Sequence, residues 1–327
     1  MYALDEINVL SFQRSMIIGF FNSEEDNEMR KIVVLMFTVM VMTSVVLSQP
    51  EQYVVELMGD QLKGVFITKV PDASQPPSNP LAFRSVDNWC APISAANIIV
   101  FFDQVAAVRG FTDTSAGLSA DGLSAYLGYF MATNGEGSAE RINSSQGSPG
   151  TLNKDIPYGI NDFAAWDGST PPGRSPLHKS VSRWNIDFLE TENIGRDVLW
   201  EEYCSSIDKG APVILCFKYW NPIKPVSMTV RSSANNVPMT FFLWGSPITS
   251  TNTLRKENAK IPEEEWNERL GIGHAVTGVG YIVGDPDGNG PLPEGLWIIV
   301  HDNWSTTPEN VVVPFENLVA LFRIMPN

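Results

Sequence analysis

The sequence has few cysteines, few histidines and a deficit of positive charge. Its 327 residues contain 3 cysteines, 3 histidines, and 22 Lys and Arg against 37 Asp and Glu, for a net charge of −15. Because nucleic acids and anionic membranes are bound through clustered Lys and Arg, this balance argues against both as partners. Disulfides are not required either, because a chain of this length that is 43% hydrophobic can bury a sizeable core.

Long apolar runs are also scarce, and the one that stands out lies near the start of the chain. Residues 32–47 carry no charge, follow Met29-Arg30-Lys31 and precede Ser48. The run is shorter than the ~20 residues that span a bilayer, so residues 29–48 are predicted to be a secretory signal peptide, with an N-terminal membrane anchor as the alternative. Residues 1–28 are then expected to be upstream sequence from a misassigned start codon. The mature protein is expected to be secreted, periplasmic or at the cell surface, without stable membrane association.

The remaining chain changes from helical to strand-like patterns, without an internal repeat. Residues 49–80 are predicted to hold two short strands and a Pro-rich linker, and residues 81–327 to form one domain. Helical spacing predicts helices near residues 92–103, 120–133, 160–166 and 194–208. Apolar runs predict strands at 212–219, 239–244, 272–282, 296–301 and 311–313. Helices followed by an antiparallel sheet predict an α+β fold.

Cys90 opens the first of these helices and is the candidate nucleophile. At a first turn, the positive end of the helix dipole favours thiolate over thiol. Asp87 and Asn88 are the candidate caps. A structural cysteine is the alternative on so apolar a helix, but an odd cysteine in a secreted protein indicates a reactive thiol. Cys204 and Cys216 are either free buried thiols or a disulfide pair.

His274 and Asp302 are the candidate partners of Cys90. His274 lies in a predicted strand among glycines, which allow another backbone to approach closely. Asp302 and Asn303 end the next apolar strand, where a carboxylate can accept the ring N–H and fix the tautomer of the histidine. Since side chains alternate along a strand, only one of Asp302 and Asn303 can meet His274. The alternative for His274 is a core histidine that bonds a carbonyl.

These motifs resemble the papain-like cysteine peptidases, in the branch that includes bacteriocin-processing peptidases. The resemblance covers roughly residues 85–315, and its main matches are Cys90-Ala91-Pro92-Ile93-Ser94 and Gly273-His274-Ala275-Val276. It implies a papain-like fold in which the buried nucleophile helix packs on an antiparallel sheet. It also implies a catalytic triad of Cys90, His274 and Asp302, where Asp302 is selected over Asn303 by the position of Trp304.

One family feature is missing, the glutamine that donates to the oxyanion about six residues before the nucleophile. Arg84 occupies that position, so Asn88, together with the Cys90 backbone N–H, is the candidate oxyanion donor.

The resemblance implies a secreted cysteine peptidase that hydrolyses peptides or proteins through a thioester, without a cofactor. The alternatives are a catalytically weak binding or surface module and a transglutaminase-like acyl transferase. Residues 285–290 resemble the opening of a calcium loop, but a hairpin turn explains them and no metal site is predicted.

Overall fold

Ten strands form one sheet, and seven of them close into a barrel. The computed structural model describes residues 53–59, 61–74, 88–105, 119–137, 150–166, 184–233, 235–245, 273–285 and 294–326. All of these residues belong to one compact unit, Gln52–Asn327. The predicted signal peptide at 29–48 and the segment 1–28 lie outside the described residues. None of the described helices has the length and apolar character needed to cross a membrane.

The barrel strands run in the order β2, β1, β5, β6, β9, β8, β7, and β2 pairs with β7 to complete the circle. From β7 the sheet continues outward through β4, β10 and β3. All pairings are antiparallel except β6 with β9. The strands are β1 Val54–Met58, β2 Leu62–Ile67, β3 Trp184–Glu190, β4 Val213–Phe217, β5 Pro222–Ser232, β6 Asn236–Trp244, β7 His274–Gly284, β8 Gly295–His301, β9 Val311–Pro314 and β10 Leu318–Pro326.

Closure of the barrel depends on glycines in β2 and β7. A Cβ added to Gly280 would lie 2.5 Å from the Val65 carbonyl oxygen, and one added to Gly64 would lie 2.3 Å from the Tyr281 carbonyl oxygen. A larger residue at either position would therefore push the two strands apart. The prediction that glycines in the His274 strand admit another backbone is confirmed by this contact.

Five α-helices occur in the described residues. They are α1 Cys90–Val100, α2 Ala120–Phe130, α3 Asp155–Ala165, α4 Thr191–Ile194 and α5 Arg196–Asp208. α1 continues into a π-helical segment, Phe101–Val105. α1 is buried at every position from Ala91 to Val100, because it packs between α2 on one side and β7 and β4 on the other. A helix that is buried on all sides needs apolar residues on every face.

The predicted papain-like α+β fold is wrong. The described chain is mostly sheet, a closed mixed barrel with three further strands and five short helices. The sequence did not indicate β3, β5 or β10, and β5 supplies the link between β1 and β6. β5 contains Pro222 and Pro225 and alternates between exposed and half-buried residues over much of its length, so it lacks the apolar run by which the other strands were recognised.

Candidate active site

The start of α1 is held in place by Trp89, which immediately precedes Cys90. Trp89 is 1% exposed, and its Nε1 donates to the Ser124 carbonyl of α2 at 3.0 Å. Trp89 is also the N-cap residue, and its side chain forms no capping bond. The expected caps were Asp87 and Asn88. Asp87 lies outside the described residues, and Asn88 is exposed with a φ of +59°.

Cys90 is half-buried and forms no disulfide. Burial raises the pKa of Cys90, and the N–H groups of Ala275, Ala91 and Cys90 itself face the sulfur and oppose that rise. The thiol is therefore neutral at neutral pH, but these main-chain donors would stabilise negative charge on the sulfur. Ala275 directly follows His274, which brings the thiol to the start of the histidine strand.

His274 is the first residue of β7 and is 8% exposed. Its Nε2 lies 2.8 Å from the main-chain oxygen of Asp302. Since a carbonyl can only accept, Nε2 carries the proton and Nδ1 keeps a lone pair. Nδ1 has no hydrogen-bond partner among the described residues. Burial lowers the pKa of His274 to about 4, although the Asp302 carbonyl acts in the opposite direction.

Two tryptophans cover the imidazole of His274. The ring centroid of Trp220 lies 4.9 Å from that of His274, and the Trp304 centroid lies 5.3 Å away. Trp220 in turn packs on Phe217 and Trp244. Trp220 is 3% exposed and Trp304 is 42% exposed, so Trp304 forms the outer wall. This aromatic cover contributes to the burial that lowers the pKa of His274.

The Asp302 carboxylate points away from His274. Its Oδ1 accepts from the Thr307 hydroxyl at 2.5 Å and from the Trp304 N–H at 3.1 Å. Its Oδ2 is buried without a hydrogen-bond partner in the described structure, and burial raises the pKa of the side chain. The sequence predicted that this carboxylate accepts the ring N–H. The structure places the main-chain carbonyl of the same residue there instead.

Asn303 extends its side chain in the other direction, toward Cys90. Its Nδ2 lies 2.9 Å from Ser94 Oγ, 2.9 Å from the Ala275 oxygen and 3.3 Å from the Cys90 oxygen. The sequence treated Asn303 as an alternative to Asp302 for orienting His274, and it does not contact the imidazole. The sequence shows two adjacent polar residues at this position, but it does not show in which direction either side chain points.

The other candidate residues lie around this centre. Asn88, the oxyanion candidate, is exposed two residues before Cys90, and Arg84 lies outside the described residues. Cys90, Cys204 and Cys216 are all unpaired. Within the described ranges, no group of three or more His, Cys, Asp or Glu residues could hold a metal ion.

This part of the fold therefore holds a thiol, an imidazole with a free nitrogen and several main-chain donors. These are the groups that nucleophilic acyl chemistry needs. Cys90 and His274 are linked through the Ala275 main chain, and no direct hydrogen bond joins them among the described residues. No family model matches the chain, and no curated protein matches it either. Any functional assignment therefore depends on the chemistry of the site.

Proposed function

We propose that the protein is a cysteine hydrolase that cleaves amide bonds in peptides or proteins, with Cys90 as nucleophile and His274 as general base and acid. The observation that carries the proposal is the environment of the thiol. Cys90 starts a buried helix, and its sulfur faces the N–H of Ala275, the residue next to His274. The proposal does not depend on a papain-like fold, because function is carried by the site.

The resting pair is uncharged. The raised pKa of Cys90 and the lowered pKa of His274 favour a neutral thiol and a neutral imidazole, and no hydrogen bond joins the two in the described structure. Attack then moves the thiol proton to Nδ1 of His274 while the bond between sulfur and the substrate carbonyl carbon forms. Nε2–H keeps its bond to the Asp302 oxygen, which stabilises the imidazolium in the way that an orienting residue does.

The tetrahedral oxyanion needs donors near the sulfur. The Cys90 N–H at the first turn of α1 is suitably placed, with the helix dipole in support, and Asn88 is the candidate second donor. The imidazolium proton then passes to the leaving amine as the C–N bond breaks, and a thioester remains. His274 next takes a proton from water, the resulting attack releases the carboxylic acid, and the Cys90 thiol is restored.

One observation favours a second function, a binding module without turnover. Burial raises the pKa of Cys90, so the resting protein holds little thiolate. If His274 cannot accept the thiol proton, Cys90 is expected to be a weak nucleophile. The two functions differ in whether His274 controls the reactivity of Cys90.

The test is covalent labelling of the full-length protein with a set of peptidyl vinyl sulfones, followed by mass spectrometry of each cysteine peptide. We expect rapid modification of Cys90 in the wild type and in Cys204→Ser, which removes a half-buried thiol in α5. In His274→Ala the rate is expected to fall at least about 100-fold, since general base catalysis contributes that much.

Two outcomes contradict the proposal. Equal labelling of Cys90 in the wild type and His274→Ala would show that the thiol is not activated by the histidine. No labelling in either would favour the binding module. Cleavage of a peptide library in the presence of a primary amine separates hydrolysis from acyl transfer, because a transferase would yield amine-linked products.

A further inference from the structure

Asn303 lies two residues after the end of β8 and has a conformation that few residues adopt. Its φ is +64°, in the left-handed region that asparagine tolerates better than most side chains. It follows Asp302, whose carbonyl faces His274. The same turn of the chain therefore presents a carbonyl to the imidazole and a buried carboxamide to the start of α1.

The carboxamide of Asn303 links two elements that are distant in sequence. The Cys90 and Ala275 oxygens can only accept, which requires the amide nitrogen to face them. Ser94 Oγ, which also contacts this nitrogen at 2.9 Å, itself donates to the Cys90 oxygen. Asn303 thus contacts Cys90 on α1 and Ala275, the residue after His274, on β7.

A second buried amide supports the first. Asn97 Nδ2 lies 3.2 Å from Thr277 Oγ1 on β7 and 3.4 Å from Asn303 Oδ1, and Asn97 Oδ1 accepts from the Ala73 N–H at 3.2 Å. Asn97 and Asn303 are 0% and 3% exposed. Because an unsatisfied buried amide is costly, this connected network holds one arrangement of α1 against β7.

We propose that Asn303 is the positioning residue of the site, whose carboxamide sets the distance between the Cys90 thiol and the His274 imidazole. The inference rests on the proposed function. The Ala275 N–H that faces the Cys90 sulfur and the Ala275 oxygen that accepts from Asn303 belong to one residue. Loss of the carboxamide lets the start of α1 shift, and a shift of about 1 Å at reacting atoms is enough to slow a reaction by about 100-fold.

The main variant is Asn303→Gly, which keeps the positive φ and removes the carboxamide. The matched control is Asn310→Ala, since Asn310 is also buried and bonds the Pro238 carbonyl. Inactivation by a peptidyl vinyl sulfone gives kinact and Ki separately. We expect Asn303→Gly to lower kinact about tenfold or more with Ki within about threefold, and Asn310→Ala to change neither by more than about twofold.

Iodoacetamide provides a second measurement that does not need activity. With the start of α1 released, Cys90 loses burial, and its alkylation rate relative to Cys204 is expected to rise about fivefold. Cys216, which is 6% exposed in β4, lies near Cys90, so circular dichroism of each variant is used to detect global unfolding. If kinact falls while alkylation by iodoacetamide rises, Cys90 has lost its alignment with His274 and not its accessibility.

The inference is overturned if Asn303→Gly leaves both kinact and the Cys90 to Cys204 ratio within about twofold of the wild type. If the vinyl sulfone fails to modify wild-type Cys90, the proposed function fails, and the iodoacetamide ratio still decides the role of Asn303. If circular dichroism shows that Asn303→Gly is unfolded, Ser94→Ala replaces it, because this change removes one acceptor and should give a smaller effect in the same directions. An unchanged ratio in folded Ser94→Ala also counts against the inference.

Discussion

His274 takes its orientation from the main-chain oxygen of Asp302, 2.8 Å from Nε2, while the carboxylate of Asp302 bonds Thr307 and the Trp304 N–H. A carboxylate beside an imidazole would raise the pKa of the ring through its full charge. A carbonyl fixes the ring with a smaller opposing effect, so burial dominates and the pKa falls to about 4. The relationship keeps His274 neutral and able to accept a proton over a wide pH range.

The first prediction concerns the acid limb of activity. His274 must be unprotonated to take the thiol proton, so peptide hydrolysis should be lost as the pH falls through about 4, not through the ordinary pKa value of 6.5. Hydrolysis rates measured from about pH 3.5 to 8, with circular dichroism at each pH to verify folding, check this. Loss of hydrolysis at about pH 6 to 7 in folded protein would contradict this prediction.

The second prediction concerns the dependence of stability on pH. Between about pH 4 and 6.5 an unfolded chain protonates His274 and the folded chain does not, so this residue makes the protein less stable as the pH falls through that window. His274→Gln should remove up to about 3 kcal/mol of this loss. Urea unfolding of both proteins at about pH 4.5 and pH 7 measures it, and identical pH slopes would argue against a depressed pKa.

The third prediction tests the aromatic cover of the imidazole. Trp304→Ala should admit water to His274, raise its pKa and move the acid limb upward by about one pH unit. Trp200→Ala is the control, because Trp200 packs on Tyr281 and Phe315 without a ring contact to His274. Kinetic pH profiles of the two variants are compared. An acid limb that shifts equally in both would indicate a general effect of a lost tryptophan.

The fourth prediction distinguishes the carboxylate of Asp302 from its carbonyl. Asp302→Asn keeps an acceptor for Thr307 and Trp304 and leaves the main-chain contact with His274 in place, so the turnover rate is expected to stay within about threefold of the wild type. Stability at neutral pH should increase, because the variant removes a buried charge whose Oδ2 has no partner in the described structure. Turnover slowed by about 100-fold or more would show that the carboxylate itself serves His274.

The fifth prediction concerns Trp89, which supports the start of the helix that carries Cys90. A Cβ on Gly128 in α2 would lie 2.1 Å from Cζ2 of Trp89, so Gly128→Ala must displace the indole that precedes Cys90. We expect a loss of about 2 kcal/mol or more in the free energy of unfolding. Gly122→Ala, in the half-exposed first turn of the same helix, should be neutral or slightly stabilising. Chemical denaturation of both variants measures the two changes in the free energy of unfolding.

Much of the local structure could be predicted from the sequence. The helix that starts at Cys90 and the strands that carry His274 and precede Asp302 were recognised because apolar periodicity and glycine spacing are local properties. The fold class could not be read in this way. β2 and β7 pair although they lie far apart in the chain, and no local pattern indicates which strand edges meet.

By itself, then, the sequence determined the order and chemistry of Cys90, His274 and the Asp302-Asn303 pair, because residue identity and spacing need no neighbours to be read. Only the tertiary structure decided that the sheet closes into a barrel, that Asp302 offers its carbonyl to His274, and that Asn303 joins α1 to β7. Those choices depend on the positive φ at Asn303 and on packing between distant segments, which no local pattern of residues specifies.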